Sequence, residues 1–134
     1  MAFKPYSTAD GAVIPWEYLP VAAITPKVGM ALYESSGNLT TAAGANVATY
    51  ISMVEMTSAA TAGEKIPVIR VQKDHVYEST LAAESTLAVG ATTDIASGGL
   101  TVAASGSSGS NVEVISFPDG KKTAGARVRV RFVK

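Results

Sequence analysis

The sequence holds one histidine and no cysteine, so few residues can do proton or metal chemistry. Asp74-His75, with Glu78 nearby, is the set whose types would suit an acid–base pair or a weak metal site. In a strand, adjacent residues point to opposite faces, which would keep Asp74 and His75 apart. No G-x-S-x-G, H-E-x-x-H or Asp-rich calcium loop accompanies them. The carboxylates Glu17, Glu34, Glu55, Glu64, Asp94 and Glu113 are scattered, and a glycosidase pair would need two of them gathered in space. Absence of cysteine removes a thiol nucleophile, a disulfide framework and any zinc site built on several Cys or His. The glycine-rich turns lack the Lys-Ser/Thr of a phosphate loop. The expectation is a non-enzyme with no catalytic residues, no metal and no cofactor.

Charge is more informative than the zero net value. Lys121, Lys122, Arg127, Arg129, Arg131 and Lys134 lie in the last fourteen residues without an acid, while residues 1–120 carry five basic and eleven acidic groups, a balance of −6. Arg127, Arg129 and Arg131 alternate with Val128, Val130 and Phe132, as in a strand with one charged and one apolar face. Such a row, with about 7 Å between neighbours, would meet carboxylates on a neighbouring subunit, or phosphates. The plainer reading is a solvated face that discourages edge-to-edge aggregation. Without interleaved aromatics or an overall basic charge, nucleic-acid binding is the weaker option.

These residues need elements to hold them, and the composition points to strands. Twenty-two alanines, thirteen serines, thirteen threonines and twelve glycines accompany fifteen valines. Residues 1–20 read as an extended arm, because Pro5, Pro15 and Pro20 remove donors and Asp10-Gly11 is a turn signal. The arm carries Phe3, Tyr6, Trp16 and Tyr18, four of the nine aromatics, and it either folds over its own body or packs on a partner. Residues 21–134 then offer β-type runs at Val21–Ile24, Met30–Glu34, Val47–Met56, Ile66–Lys73, Leu100–Ala103, Val112–Phe117 and Ala126–Val133. Ser79–Val89 is the one helical candidate, with Ser79 as N-cap, but its β-branched and small residues argue against it. The Ser105–Ser110 stretch reads as a surface loop.

An internal repeat organises the body. Sliding the chain by 61 residues gives eleven identities over positions 17–43, among them Glu17 with Glu78, Gly29 with Gly90 and Leu39 with Leu100. One further residue of slip sets Ala62-Gly63 on Ala124-Gly125 and Ile66, Val68 and Val71 on Val128, Val130 and Val133. The halves, about 17–73 and 78–134, are each too small to be robust alone. Two copies sharing a core predict one all-β domain, a compact barrel or sandwich, with Ser36-Gly37-Asn38 and Ser97-Gly98-Gly99 as hairpin turns.

The residues Ile24-Thr25-Pro26-Lys27-Val28-Gly29-Met30-Ala31-Leu32-Tyr33, then Gly37-Asn38-Leu39 and Tyr50-Ile51-Ser52-Met53-Val54, resemble the capsid decoration (head cement) proteins of tailed phages. Ile66-Pro67-Val68-Ile69-Arg70, His75-Val76-Tyr77-Glu78 and the closing Ala126–Val133 run continue the resemblance. It implies a β-tulip or barrel body with an N-terminal arm, sitting as a homotrimer on the outside of an expanded head and clamping the major capsid protein lattice. On that reading Phe3, Tyr6, Trp16 and Tyr18 contact the capsid, and Arg127, Arg129 and Arg131 contact a neighbouring subunit. The location implied is the outer capsid surface of a virion, after synthesis in the host cytoplasm, with no nucleic-acid or membrane partner. The competing expectation is a β-sandwich module of a fibre or adhesin that binds carbohydrate or another surface, with exposed aromatics on the body.

Overall fold

The structure is a computed structural model that describes residues 3–7, 14–105 and 109–134; Asp10-Gly11 and the centre of the Ser105–Ser110 stretch lie outside these residues. The protein is all-β. Strands β1 (Lys4–Ser7), β7 (Val76–Thr80), β10 (Arg127–Phe132), β9 (Val112–Ser116) and β8 (Thr92–Thr93) form one antiparallel sheet in that order. The second sheet runs β2 (Trp16–Pro20), β6 (Lys65–Arg70), β5 (Tyr50–Ser52), β3 (Ala31–Ser35) and β4 (Asn38–Thr41). Neither sheet closes into a barrel. In the second, the outer strands are joined near one end by the parallel bridge Val21–Leu39 and the bond from Ala22 N–H to Leu39 O.

The two sheets share one pairing scheme. Tyr18 faces Pro67 and Pro20 faces Lys65 in one, just as Glu78 faces Arg129 and Thr80 faces Arg127 in the other. Ile51 faces Ile69 where Glu113 faces Arg131, and Ala31 faces Ile51 where Thr92 faces Glu113. Gly29 N–H donates to Ser52 O as Gly90 N–H does to Val114 O. The correspondence differs from the identities in two places. Tyr18, not Glu17, stands where Glu78 stands. Val102, not Leu100, takes the place of Leu39: Leu39 pairs with Glu34 and bridges Val21, and Val102 bridges Ile95 and Leu81. The first hairpin is a tight turn with positive φ at both Ser36 (53°) and Gly37 (84°), the twist that suits adjoining strands. The second spans Ser97–Leu100, and it brings Gly99 so near β3 and β4 that a Cβ there would lie 2.9 Å from Thr41 Cγ2 and 3.0 Å from Ala31 O.

Side-chain burial breaks this symmetry. Val21, Leu32, Leu39, Tyr50, Ile66 and Val68 fill a core on one face of the second sheet. The opposite face, with Ala31, Ile51 and Ile69, is buried in a larger core shared with Tyr77, Val112, Val114, Val128, Val130 and Phe132 of the first sheet. At the matching position of the first sheet the Ile51–Ile69 pair is replaced by an ion pair, Arg131 Nη2 to Glu113 Oε1 at 2.8 Å. The same ladder position is apolar where it meets the other half and charged where it meets water.

Residues 1–20, expected as an arm, contribute two strands. Both are extended, and each lies at the edge of a different sheet, β1 on β7 and β2 on β6. Edge positions tolerate the missing donors of Pro5 and Pro20. Ser79–Val89 is not helical, because Ser79 and Thr80 belong to β7, where the Ser79 hydroxyl donates to Leu100 O at 3.0 Å.

Candidate docking surface

The four N-terminal aromatics separate into three environments. Phe3 is fully buried, its ring 5.4 Å from that of Phe132, which in turn meets Tyr77 edge-on at 5.1 Å. Its N–H donates to Gly29 O at 2.9 Å. Phe3 therefore anchors β1 to the core and leaves the set of capsid-contact candidates, because an apolar ring gains more from this cavity than from an exposed edge.

Tyr6, on β1, is half exposed, and the Arg129 guanidinium lies 3.8 Å from its ring centroid. Beneath them Glu78 is nearly closed to water, its side chain 4% exposed, with Arg129 Nε at 3.2 Å, Lys4 Nζ at 3.5 Å and Arg127 Nη1 at 3.8 Å. Desolvation alone would raise the Glu78 pKa, but the bonds from Arg129 and Lys4 and the nearby Arg127 charge outweigh it and hold it below the usual carboxylate value. Arg127 also makes a two-pronged contact with Asp119, at 2.9 and 2.6 Å. That contact lowers the Asp119 pKa and raises that of Arg127. With Arg131 on Glu113, each arginine of the row meets a carboxylate of its own chain. The row, expected at a subunit boundary, binds β1, β7, β9 and β10 together.

Trp16 and Tyr18 remain. They alternate on β2 opposite Ile69 and Pro67, 57% and 63% exposed respectively. They lie on the face of the second sheet that carries Ile51 and Ile69, at the rim where the covering half ends. In the first sheet the matching place holds Glu78 under β1 and its cations. Among the described residues no strand pairs with β2 on the side away from β6 alongside Tyr18. The patch thus combines aromatic rings, Pro67 and an open strand edge. The rings are legible in residues 16–18 themselves, whereas the contribution of Pro67 depends on cross-strand register, which no local pattern carries.

Asp74 and His75 sit in the turn before β7 rather than in a strand, so alternation does not separate them, and His75 Nε2 lies 3.8 Å from Asp74 Oδ1. His75 is buried, and Glu78 is engaged with Lys4, Arg127 and Arg129 instead of joining the pair. Among the described residues no group of three or more His, Asp and Glu side chains is arranged to hold a metal ion. No family model matches the chain, and no curated protein matches it.

Proposed function

We propose that the protein is structural and decorates the outer surface of an assembled phage capsid, with the β2 edge as its contact surface. The observation that carries this reading is the exposure of Trp16 and Tyr18 side by side on a strand whose outer edge has no described partner along Tyr18. Exposed aromatic rings of this kind are typical anchors of protein interfaces. The resemblance set by Ile24–Tyr33 and Tyr50–Val54 supplies the partner, the major capsid protein lattice, and the homotrimer on it. Binding would stabilise the shell by mass action, because the contact forms on the assembled lattice and repeats over many sites. No cofactor, nucleic acid or membrane enters this role.

Co-sedimentation with undecorated, expanded heads tests the reading. The protein should pellet with the heads, and the Trp16→Ser/Tyr18→Ser double variant should stay in the supernatant. A wild-type protein that remains soluble beside the heads would overturn it. One observation favours a second reading, a carbohydrate- or surface-binding module. Trp16 and Tyr18 belong to a body sheet, where rings about 7 Å apart on one strand face form a stacking platform. Glycan-array binding abolished by the same double variant would select it.

A further inference from the structure

We propose that Asp119-Gly120 is a latent site of isoaspartate formation, and that the two-pronged grip of Arg127 on the Asp119 carboxylate keeps it closed in the folded protein. The chemistry starts from the residue pair. The main-chain nitrogen of Gly120 attacks Cγ of Asp119 and forms an N–C bond, while the carboxyl hydroxyl and the amide proton leave together as water. The succinimide ring that results takes up water again at either carbonyl. Opening at one carbonyl restores aspartate; opening at the other leaves isoaspartate, with the main chain rerouted through Cγ. The net change is an isomerisation that consumes no reagent. Glycine favours the step because no side chain hinders its nitrogen, and among the described residues Asp119 is the one aspartate followed by glycine. Asp74 and Asp94 precede the bulkier His75 and Ile95. Around Gly120 the space is open, since a Cβ there would meet nothing within 4 Å. The Asp119 side chain is 38% exposed, so water reaches the site.

Three features of the fold oppose the reaction. The turn Phe117-Pro118-Asp119-Gly120 is closed by Gly120 N–H donating to Phe117 O at 2.9 Å, which engages the proton that must leave. Arg127 Nε and Nη2 donate to Asp119 Oδ2 and Oδ1 at 2.9 and 2.6 Å, so Cγ cannot swing over the Gly120 nitrogen while the grip lasts. The same grip keeps the carboxyl ionised, and a carboxylate is a poor electrophile. Its pKa is lowered chiefly by the Arg127 bonds, with the charges of Lys121 and Arg129 adding to them against desolvation. Arg127 begins β10, where it faces Thr80 of β7, so the sheet fixes its place and the turn docks onto it. Isoaspartate lengthens the main chain by one carbon and shortens the side chain by one, which would pull the carboxylate off the guanidinium. One such event would free Arg127 and loosen the turn between β9 and β10. This inference does not rest on the capsid reading.

Peptide mapping of the full chain after prolonged storage in warm neutral buffer tests it, with circular dichroism as the check on folding. Isoaspartate leaves the mass unchanged and is read from a shifted elution time, from electron-transfer fragments, and from resistance to an aspartate-specific protease at residue 119. The same chain held in guanidinium chloride gives the unprotected rate. The folded wild type should isomerise at residue 119 far more slowly than the denatured chain. Arg127→Ala should raise the folded rate about fivefold, the factor that a surface ion pair of good geometry supplies. Glu78→Gln loosens the same sheet but leaves Arg127 on Asp119, and should keep residue 119 near the wild-type rate. Arg127→Lys keeps the charge without the two-pronged contact and should give a smaller rise; it decides the matter if Arg127→Ala does not fold. A folded wild type that isomerises as fast as the denatured chain would overturn the proposal. So would folded Arg127 variants no faster than wild type, or a Glu78→Gln variant accelerated as much as they are.

Discussion

Replacing Glu78 with Gln keeps the shape of the side chain and removes its charge. Lys4, Arg127 and Arg129 then face one another at distances now held at 3.5, 3.8 and 3.2 Å from the carboxylate. Breaking a fully buried pair costs about 3–5 kcal/mol, and an exposed pair about 0–1 kcal/mol. Glu78 is 4% exposed, but Lys4 and Arg127 are 59% and 44% exposed and can turn to water. The expected loss therefore falls between the two, about 2–3 kcal/mol, or roughly 8–12 °C in Tm for a chain of this size. Urea unfolding followed by circular dichroism measures it. Hydrogen exchange at Lys4–Ser7 should rise with it, because Glu78 pairs with Lys4. The Glu78 pKa is lower folded than unfolded, so its contribution is present above about pH 4.3 and fades as pH falls through the folded value. The gap between wild type and variant should narrow in acid accordingly. A loss below about 0.5 kcal/mol, the range of ordinary surface changes, or unchanged exchange in β1, would show that Glu78 does not hold β1 to the sheet.

Three further outcomes follow from the same geometry. Phe3→Ala opens a cavity against Phe132 and should cost about 3–5 kcal/mol in thermal or urea unfolding, because the ring is fully buried. Trp16→Ser and Tyr18→Ser should each leave unfolding within about 0.5 kcal/mol of wild type while weakening whatever binding the intact edge supports, read by co-sedimentation. Gly37→Val places a β-branched residue at a φ of 84° and should cost at least about 1–2 kcal/mol, although nothing crowds the site.

Much of the strand map is visible in the residues, for a physical reason. Met30–Glu34, Ile66–Lys73, Val112–Phe117 and Ala126–Val133 overlap β3, β6, β9 and β10, where β-branched residues fill core positions. Val47–Met56 contains only the short β5, and Val21–Ile24 and Leu100–Ala103 supply single bridges at Val21 and Val102. Of the strands without a matching run, β4 and β8 are short and threonine-rich, and β1, β2 and β7 break the apolar rule. In β7 the buried side chains include Glu78, Ser79 and Thr80, satisfied by contacts that lie far along the chain, such as Leu100 O and Arg129. In β1 and β2 prolines mask edge strands. The arginine row was visible as a row, but its partners were not. Asp119, Glu113 and Glu78 reach it through a loop, a neighbouring strand and a strand fifty residues earlier. Among the aromatics, composition alone could not separate Phe3, which enters the core, from Trp16 and Tyr18, which do not.

We propose the β2 edge as a docking surface on a capsid shell. A density map of expanded heads incubated with the protein tests it most directly. Density is expected at regular outer lattice sites, with β2, Trp16 and Tyr18 against the shell. Shells without added density, or density in which β2 points to solvent, would contradict it.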